Sequence, residues 1–177
     1  MVSLRTPFFA VWTIHKVAPT LGIRTLKVQH GHIEYNPTFI NTLSKKELES
    51  VLTFEAMRII LKHPYSRKKT MTEIAYLASN ITVQEYLQTI GLGFLSAKDF
   101  FKTNEYDLKY FEFYYEKILA MNQQEKNHHT KAENMSNQSS LASYVNEQIC
   151  GYENAEHWER NEYQELLINE KIKEIEA

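Results

Sequence analysis

The chain has 177 residues, enough for one well-filled core and too few for two independent domains of ordinary size. With 43% hydrophobic and 24% charged residues it is an ordinary globular protein, and a net charge of −2 excludes the basic footprint of a nucleic-acid binder. One cysteine, Cys150, allows no intrachain disulfide and fits a reducing compartment.

The apolar stretch from Phe8 to Trp12 is short, soon meets His15 and Lys16, and is followed by no small-residue cleavage site. It is read as part of the fold rather than as a signal peptide. No apolar run reaches the length of a bilayer-spanning helix, and the expected location is the cytoplasm. Pro7 suits a first helical turn, and Phe8 to Val17 predicts a short amphipathic helix. After Gly22, Ile23 to Gln29 alternates apolar and polar residues in the period of a half-buried strand. Gly31 turns the chain, and His32 to Tyr35 is the expected antiparallel partner. Pro37 to Leu43 allows a helical turn or two.

Ser44 and Glu47 form a capping box, each side chain satisfying a backbone N–H that a helix start leaves unpaired. Leu48, Val51, Leu52, Phe54, Ala56, Met57, Ile59, Ile60 and Leu61 then leave scarcely a polar face, as expected of a central buried helix. Pro64, after His63, ends it. Arg67, Lys68 and Lys69 read as a solvated basic loop. Thr70 and Glu73 repeat the capping pattern, and the next helix is predicted to reach Ile90, kinked near Asn80 and stopped by Gly91.

Tyr106 to Met121 predicts an aromatic helix, with Tyr106, Tyr110, Phe111, Phe113, Tyr114 and Tyr115 spaced for packing rather than for a ligand-binding box. Residues 122–140 are almost devoid of apolar side chains and read as a mobile loop. Within it His128 and His129 are read as solvated, and the sequon Asn134-Met135-Ser136 carries no weight in a cytoplasmic chain. A last helix is expected from about Ala155 to Ile175, with Trp158, Leu166, Leu167 and Ile172 available for packing. There is no internal repeat, P-loop or glycine-rich dinucleotide fingerprint. The chain 1–177 thus reads as a single α+β domain, mostly helical, with a small antiparallel sheet or hairpin packed on a central buried helix.

On a helical wheel Leu48, Val51, Leu52 and Ile59 surround Glu55, so its carboxylate emerges from an apolar stripe. A bare buried charge is expensive, and Arg58, three residues on, can reach it. One reading of the pair is a structural ion pair; the other is a site.

Tyr35-Asn36-Pro37 with Phe39, then Leu43-Ser44, Glu47-Leu48 and Val51-Leu52, preceded by two strands, resembles the bacterial metallopeptidase domain that usually precedes a von Willebrand A-like domain. Looser matches run through Ile74, Ala75 and Asn80 to Tyr115–Leu119, and to the segment from Glu153 to Trp158. The resemblance implies a zincin-like fold whose central helix carries HExxHxxxxH. On that pattern Phe54 stands at the first histidine, Glu55 at the general-base glutamate, Arg58 at the second histidine and His63 at the third. Leu77 stands where the family has an acidic residue. Two histidines four apart would aim their nitrogens from one helix face at zinc, while the glutamate activates the bound water. Phe54 cannot ligate a metal, and Arg58 stays protonated and repels one. The expectation is a vestigial site of Phe54, Glu55, Arg58 and His63 that binds no metal or other cofactor. Arg58 returns to Glu55 the positive charge that a metal would supply.

His15, His30, His32 and His157 are read as packing or surface residues, and Cys150 with His157 nearby in sequence makes no diagnostic catalytic pair. Three functions remain. The leading one is a catalytically inactive metallopeptidase-like domain acting as a protein-binding or regulatory module, with a protein partner and neither nucleic acid nor membrane. The second is a metal-dependent peptidase rebuilt around Glu55 and His63, which would use zinc. The third is a structural assembly protein that pairs through the aromatic helix from Tyr106 to Tyr115. Oligomeric state is left open.

Overall fold

The computed structural model describes residues 5–90, 93–129 and 157–177. Among them the chain is α+β, with seven helices and one three-stranded mixed sheet. Helix α1 (Arg5–Ile14) leads through His15 into strand β1 (Lys16–Pro19), and β2 (Leu26–Gln29) and β3 (His32–Tyr35) follow. The helix expected over Phe8 to Val17 therefore stops early, and its last residues become a strand. The β2–β3 pair is the expected antiparallel hairpin. The sheet as a whole is not antiparallel, because β1 joins β3 in parallel, giving the order β1-β3-β2. Four residues are too few to show a strand period, and their partner is chosen by tertiary packing.

The hairpin turns on His30 and Gly31, both with positive φ (50° and 72°). Glycine is needed at 31 for a second reason: a Cβ there would lie 2.7 Å from Gln164 Oε1. Leu26, Val28 and Ile33 form the buried face of the sheet, whereas Lys27 and Glu34 pair at 2.8 Å on the other.

Helix α2 (Pro37–Thr42) is capped by Asn36, whose Oδ1 accepts from Thr38 N–H and whose Nδ2 donates to Ile23 O at 2.7 Å. Helix α3 (Lys45–Ile60) opens with the expected capping box, Ser44 N–H to Glu47 Oε2 at 2.8 Å and Glu47 N–H to Ser44 Oγ at 3.3 Å. The same bonds hold the Glu47 carboxyl below its ordinary range. Helix α4 (Thr72–Leu87) runs through Asn80 without a break in the helix. Its N-cap is Met71, not Thr70, and it ends at Gln88 in a left-handed conformation, short of Ile90. Gly91 lies outside the described residues.

Every residue of α4 from Ile74 to Gln84 is buried, so the expected central helix α3 shares the centre with a neighbour that is still more enclosed. Ser79, Asn80, Thr82 and Gln84 disguise this in the sequence. Helix α5 (Ala97–Phe101) precedes a turn in which the Tyr114 hydroxyl accepts from Lys109 N–H at 2.9 Å and donates to Tyr106 O at 2.7 Å. Burial pushes that hydroxyl up to about 12. Helix α6 (Phe111–His129) thus starts later than expected and continues through 122–129, which the sequence marked as loop. Gln, Glu and Lys are good helix formers even without an apolar face. Residues 130–140 lie outside the described residues, as does Cys150.

Helix α7 (Glu162–Glu176) begins at an Asn161 cap, and residues 158–161 are not helical; Ala155 lies outside the described residues. It buries Ile168 and packs Ile172 on the core, while Leu166 faces solvent. Helix α4 packs chiefly on α6, and α1 on α7 and α3. No helix among the described residues is long and apolar enough to cross a membrane.

Candidate functional site

Phe54, Glu55 and Arg58 lie within one five-residue stretch of α3, and His63 follows in the turn that ends it, its N–H donating to Arg58 O at 3.2 Å. Each of the four is at most 1% exposed. Arg58 is the hub. Its Nε donates to Glu55 Oε2 at 3.2 Å, Nη1 to Ser79 Oγ at 2.6 Å and Nη2 to Asn80 Oδ1 at 2.6 Å. The Arg58–Glu55 contact expected from the three-residue spacing is therefore present, and α4 adds two further acceptors. Aromatic rings enclose the guanidinium, with centroids 4.9 Å (Tyr76), 5.4 Å (Phe54) and 5.7 Å (Trp158) from its carbon.

His63 belongs to the same network. Its Nδ1 lies 2.7 Å from Ser79 Oγ, and its ring stacks on Phe111 at 4.2 Å. Because Arg58 already donates to Ser79, the serine hydroxyl can donate a hydrogen bond to Nδ1, which places the ring proton on Nε2. Nε2 is buried with no hydrogen-bond partner among the described residues. Burial first, then the charges of Arg67 and Arg58, push the His63 pKa well below its ordinary value. The ring is neutral at neutral pH.

A zinc ion does not fit this donor set. Position 54 carries a phenyl ring stacked at 3.9 Å on Phe94, and position 58 carries a cation whose three nitrogens already hold acceptors. Leu77, where the resemblance implies an acidic residue, is apolar and buried. Among the described residues no three His, Cys, Asp or Glu side chains gather to hold a metal ion.

A second buried tie adjoins the first. The Tyr65 hydroxyl lies 2.6 Å from His15 Nε2, and His15 Nδ1 lies 2.8 Å from Val11 O. With Nδ1 donating to that carbonyl, Nε2 accepts from the tyrosine. Burial, followed by the nearby Glu55 and Glu165 charges, raises the Tyr65 pKa strongly, so the phenol stays protonated. His15 thus packs inside. His30 instead sits at the surface, 3.2 Å from Glu159.

Sequence reasoning missed Ser79, Asn80, Tyr76, Trp158 and Tyr65 as members of the site. One signal was available: Ser79 and Asn80 interrupt an otherwise apolar stretch of α4, and buried polar groups need partners. Nothing local announces Trp158.

Fold and site together define an α+β arrangement whose two central helices close around an arginine hydrogen-bonded at all three of its nitrogens. The chain belongs to the family described as "Putative metallopeptidase domain", which matches residues 1–173. No curated protein and no solved structure matches it.

Proposed function

We propose that the chain is a degenerate, catalytically inactive member of this family, zincin-like in fold, acting as a protein-binding or regulatory module. The observation that carries this reading is the Arg58 guanidinium held by Glu55, Ser79 and Asn80 on the helix face where the family's histidines would hold zinc. Glu55, the general base of the pattern, is 1% exposed and engaged by Arg58. A base must come within hydrogen-bond reach of the proton it removes, and no substrate carbonyl or water-borne nucleophile is accommodated beside a carboxylate so enclosed. The pair is charge-neutral without a metal, which lets the scaffold persist with its chemistry lost.

The test is hydrolysis of casein and of mixed peptides by the purified protein, alone and supplied with zinc, cobalt or manganese. Inactivity under every condition is expected. Turnover that needs metal and vanishes in both Glu55→Gln and His63→Ala would overturn the reading in favour of the rebuilt hydrolase. The third function has less to recommend it, since Phe111, Tyr114 and Tyr115 turn inward rather than toward a second copy.

A further inference from the structure

Among the described residues, the helix-facing side of the sheet is only partly covered near β1. There Val17, Leu26 and Ile33 meet Trp12 of α1 and Leu48 and Leu52 of α3 around an apolar groove of about 190 Å3. Leu26 and Ile33 form a buried floor, whereas Val17 is 46% exposed although it shares its face of the sheet with Ile33. A cavity of about 150 Å3 lined by aliphatic and aromatic side chains accepts a benzene ring, so this groove accommodates one phenyl or branched alkyl group.

Among the described residues β1 is an edge strand, and the groove opens beside it. Lys16 and Thr20 donate their N–H groups to Gly31 O and Tyr35 O at 3.0 and 2.8 Å, toward β3. Backbone groups of successive strand residues point to opposite sides, so the N–H and C=O of Val17 point outward. Pro19 points outward too but offers only a carbonyl, which keeps any added ladder short. A peptide residue that exchanges both hydrogen bonds with Val17 carries its side chain on Val17's face of the sheet, over the groove. Its two neighbours turn to the opposite face, where Lys16 lies. Lys16 and Lys45, the latter one helical turn before Leu48, are exposed and have no ion-pair partner among the described residues.

We propose that the groove and the outer edge of β1 form a docking site for an extended acidic peptide of a partner protein. One large apolar residue of that peptide pairs with Val17 and fills the groove; a carboxylate on an adjacent residue, turned to the opposite face, meets Lys16, and a carboxylate two residues from the centre, back on the groove's face, meets Lys45. The proposal rests on the reading of the chain as a binding module and names the class of partner.

The probe is a capped, dye-labelled nonapeptide with a central phenylalanine between glutamate- and threonine-rich flanks, followed by fluorescence anisotropy with the full chain. Saturable binding is expected, weakened about tenfold or more by alanine at the centre of the peptide, by Lys16→Glu with Lys45→Glu, and by Val17→Pro. The proline removes an N–H that β3 does not use, so the fold should survive, as circular dichroism would verify. If it does not, N-methylation of the central peptide residue removes the reciprocal bond and leaves the protein intact. Absence of saturable binding overturns the proposal. So does binding that ignores both backbone changes, or that a free capped phenylalanine reproduces. A peptide that docks and is cleaved would overturn the non-catalytic reading and leave the docking site standing; one that neither docks nor is cleaved overturns only the docking site.

Discussion

Arg58 shows how one residue can hold two helices together. Its charge is compensated within α3 by Glu55 and its remaining fork is satisfied from α4 by Ser79 and Asn80. Truncation to Arg58→Met leaves a buried carboxylate and two buried polar side chains without that partner. The expected loss is roughly 3–5 kcal/mol, read from urea unfolding. Arg58→Lys should recover little of it, because an ammonium cannot span three acceptors set for a planar fork. If Lys restores wild-type stability, the fork is not what binds the helices. The Glu55 side of this network was legible from the spacing of three on one helix. Ser79 and Asn80 were not, because they lie on a different element and only the fold brings them to the guanidinium.

The two enclosed histidines give the protein an acid sensitivity with a definite sign. Burial lowers the pKa of both His63 and His15 from 6.5. Below about pH 6.5 the unfolded chain therefore binds protons that the folded chain refuses, and stability falls as pH is lowered toward the folded values. Above that pH the full contribution is present. His63→Gln can keep a bond to Ser79 without a titrating ring, and should flatten the decline in unfolding midpoint between about pH 6.5 and 5 relative to wild type. An unchanged slope would mean that His63 is already protonated in the folded state.

At the level of elements, the capping box of α3 and the β2–β3 hairpin were visible in the sequence because both are local: Ser44 sees Glu47, and Gly31 marks its own turn. Strand β1 was not visible, since its four residues acquire an identity only by lying beside β3. Helix α6 extended past the expected loop boundary because helix propensity needs no apolar face. The hairpin also illustrates how a local demand and a tertiary one can meet at one residue. Gly31→Ala would place an L side chain at φ 72° and its Cβ against Gln164. A loss of roughly 1–2 kcal/mol from the backbone conformation, plus displacement of Gln164, should appear as a lowered melting temperature. Gln164→Ala in the same background should relieve only the second part.

Over the whole molecule, α7 returns from far along the chain to close the structure around α1 and the end of α3. Ser66 N–H donates to Glu165 Oε1 at 2.8 Å, Gln164 packs against Gly31, and Trp158 lies over Arg58. These contacts join distant segments, and for that reason neither the position of α7 nor the role of Trp158 could be read from the sequence around them. A chain cut before residue 157 loses the Trp158 face of the arginine cluster and the buried Ile168. It should lose cooperative thermal unfolding and expose apolar surface that binds a hydrophobic dye. A truncated chain with a sharp, wild-type-like transition would show that α7 is an accessory rather than part of the core.

That the Arg58 cluster stands in place of a metal centre is tested most directly by calorimetric titration of zinc into the purified, chelator-treated protein at neutral pH. A guanidinium whose three nitrogens are engaged by Glu55, Ser79 and Asn80, beside a phenyl ring at position 54, leaves no ligand set, so no stoichiometric binding heat is expected. One equivalent of zinc bound with a dissociation constant of about a micromolar or tighter, and lost in His63→Ala, would contradict it.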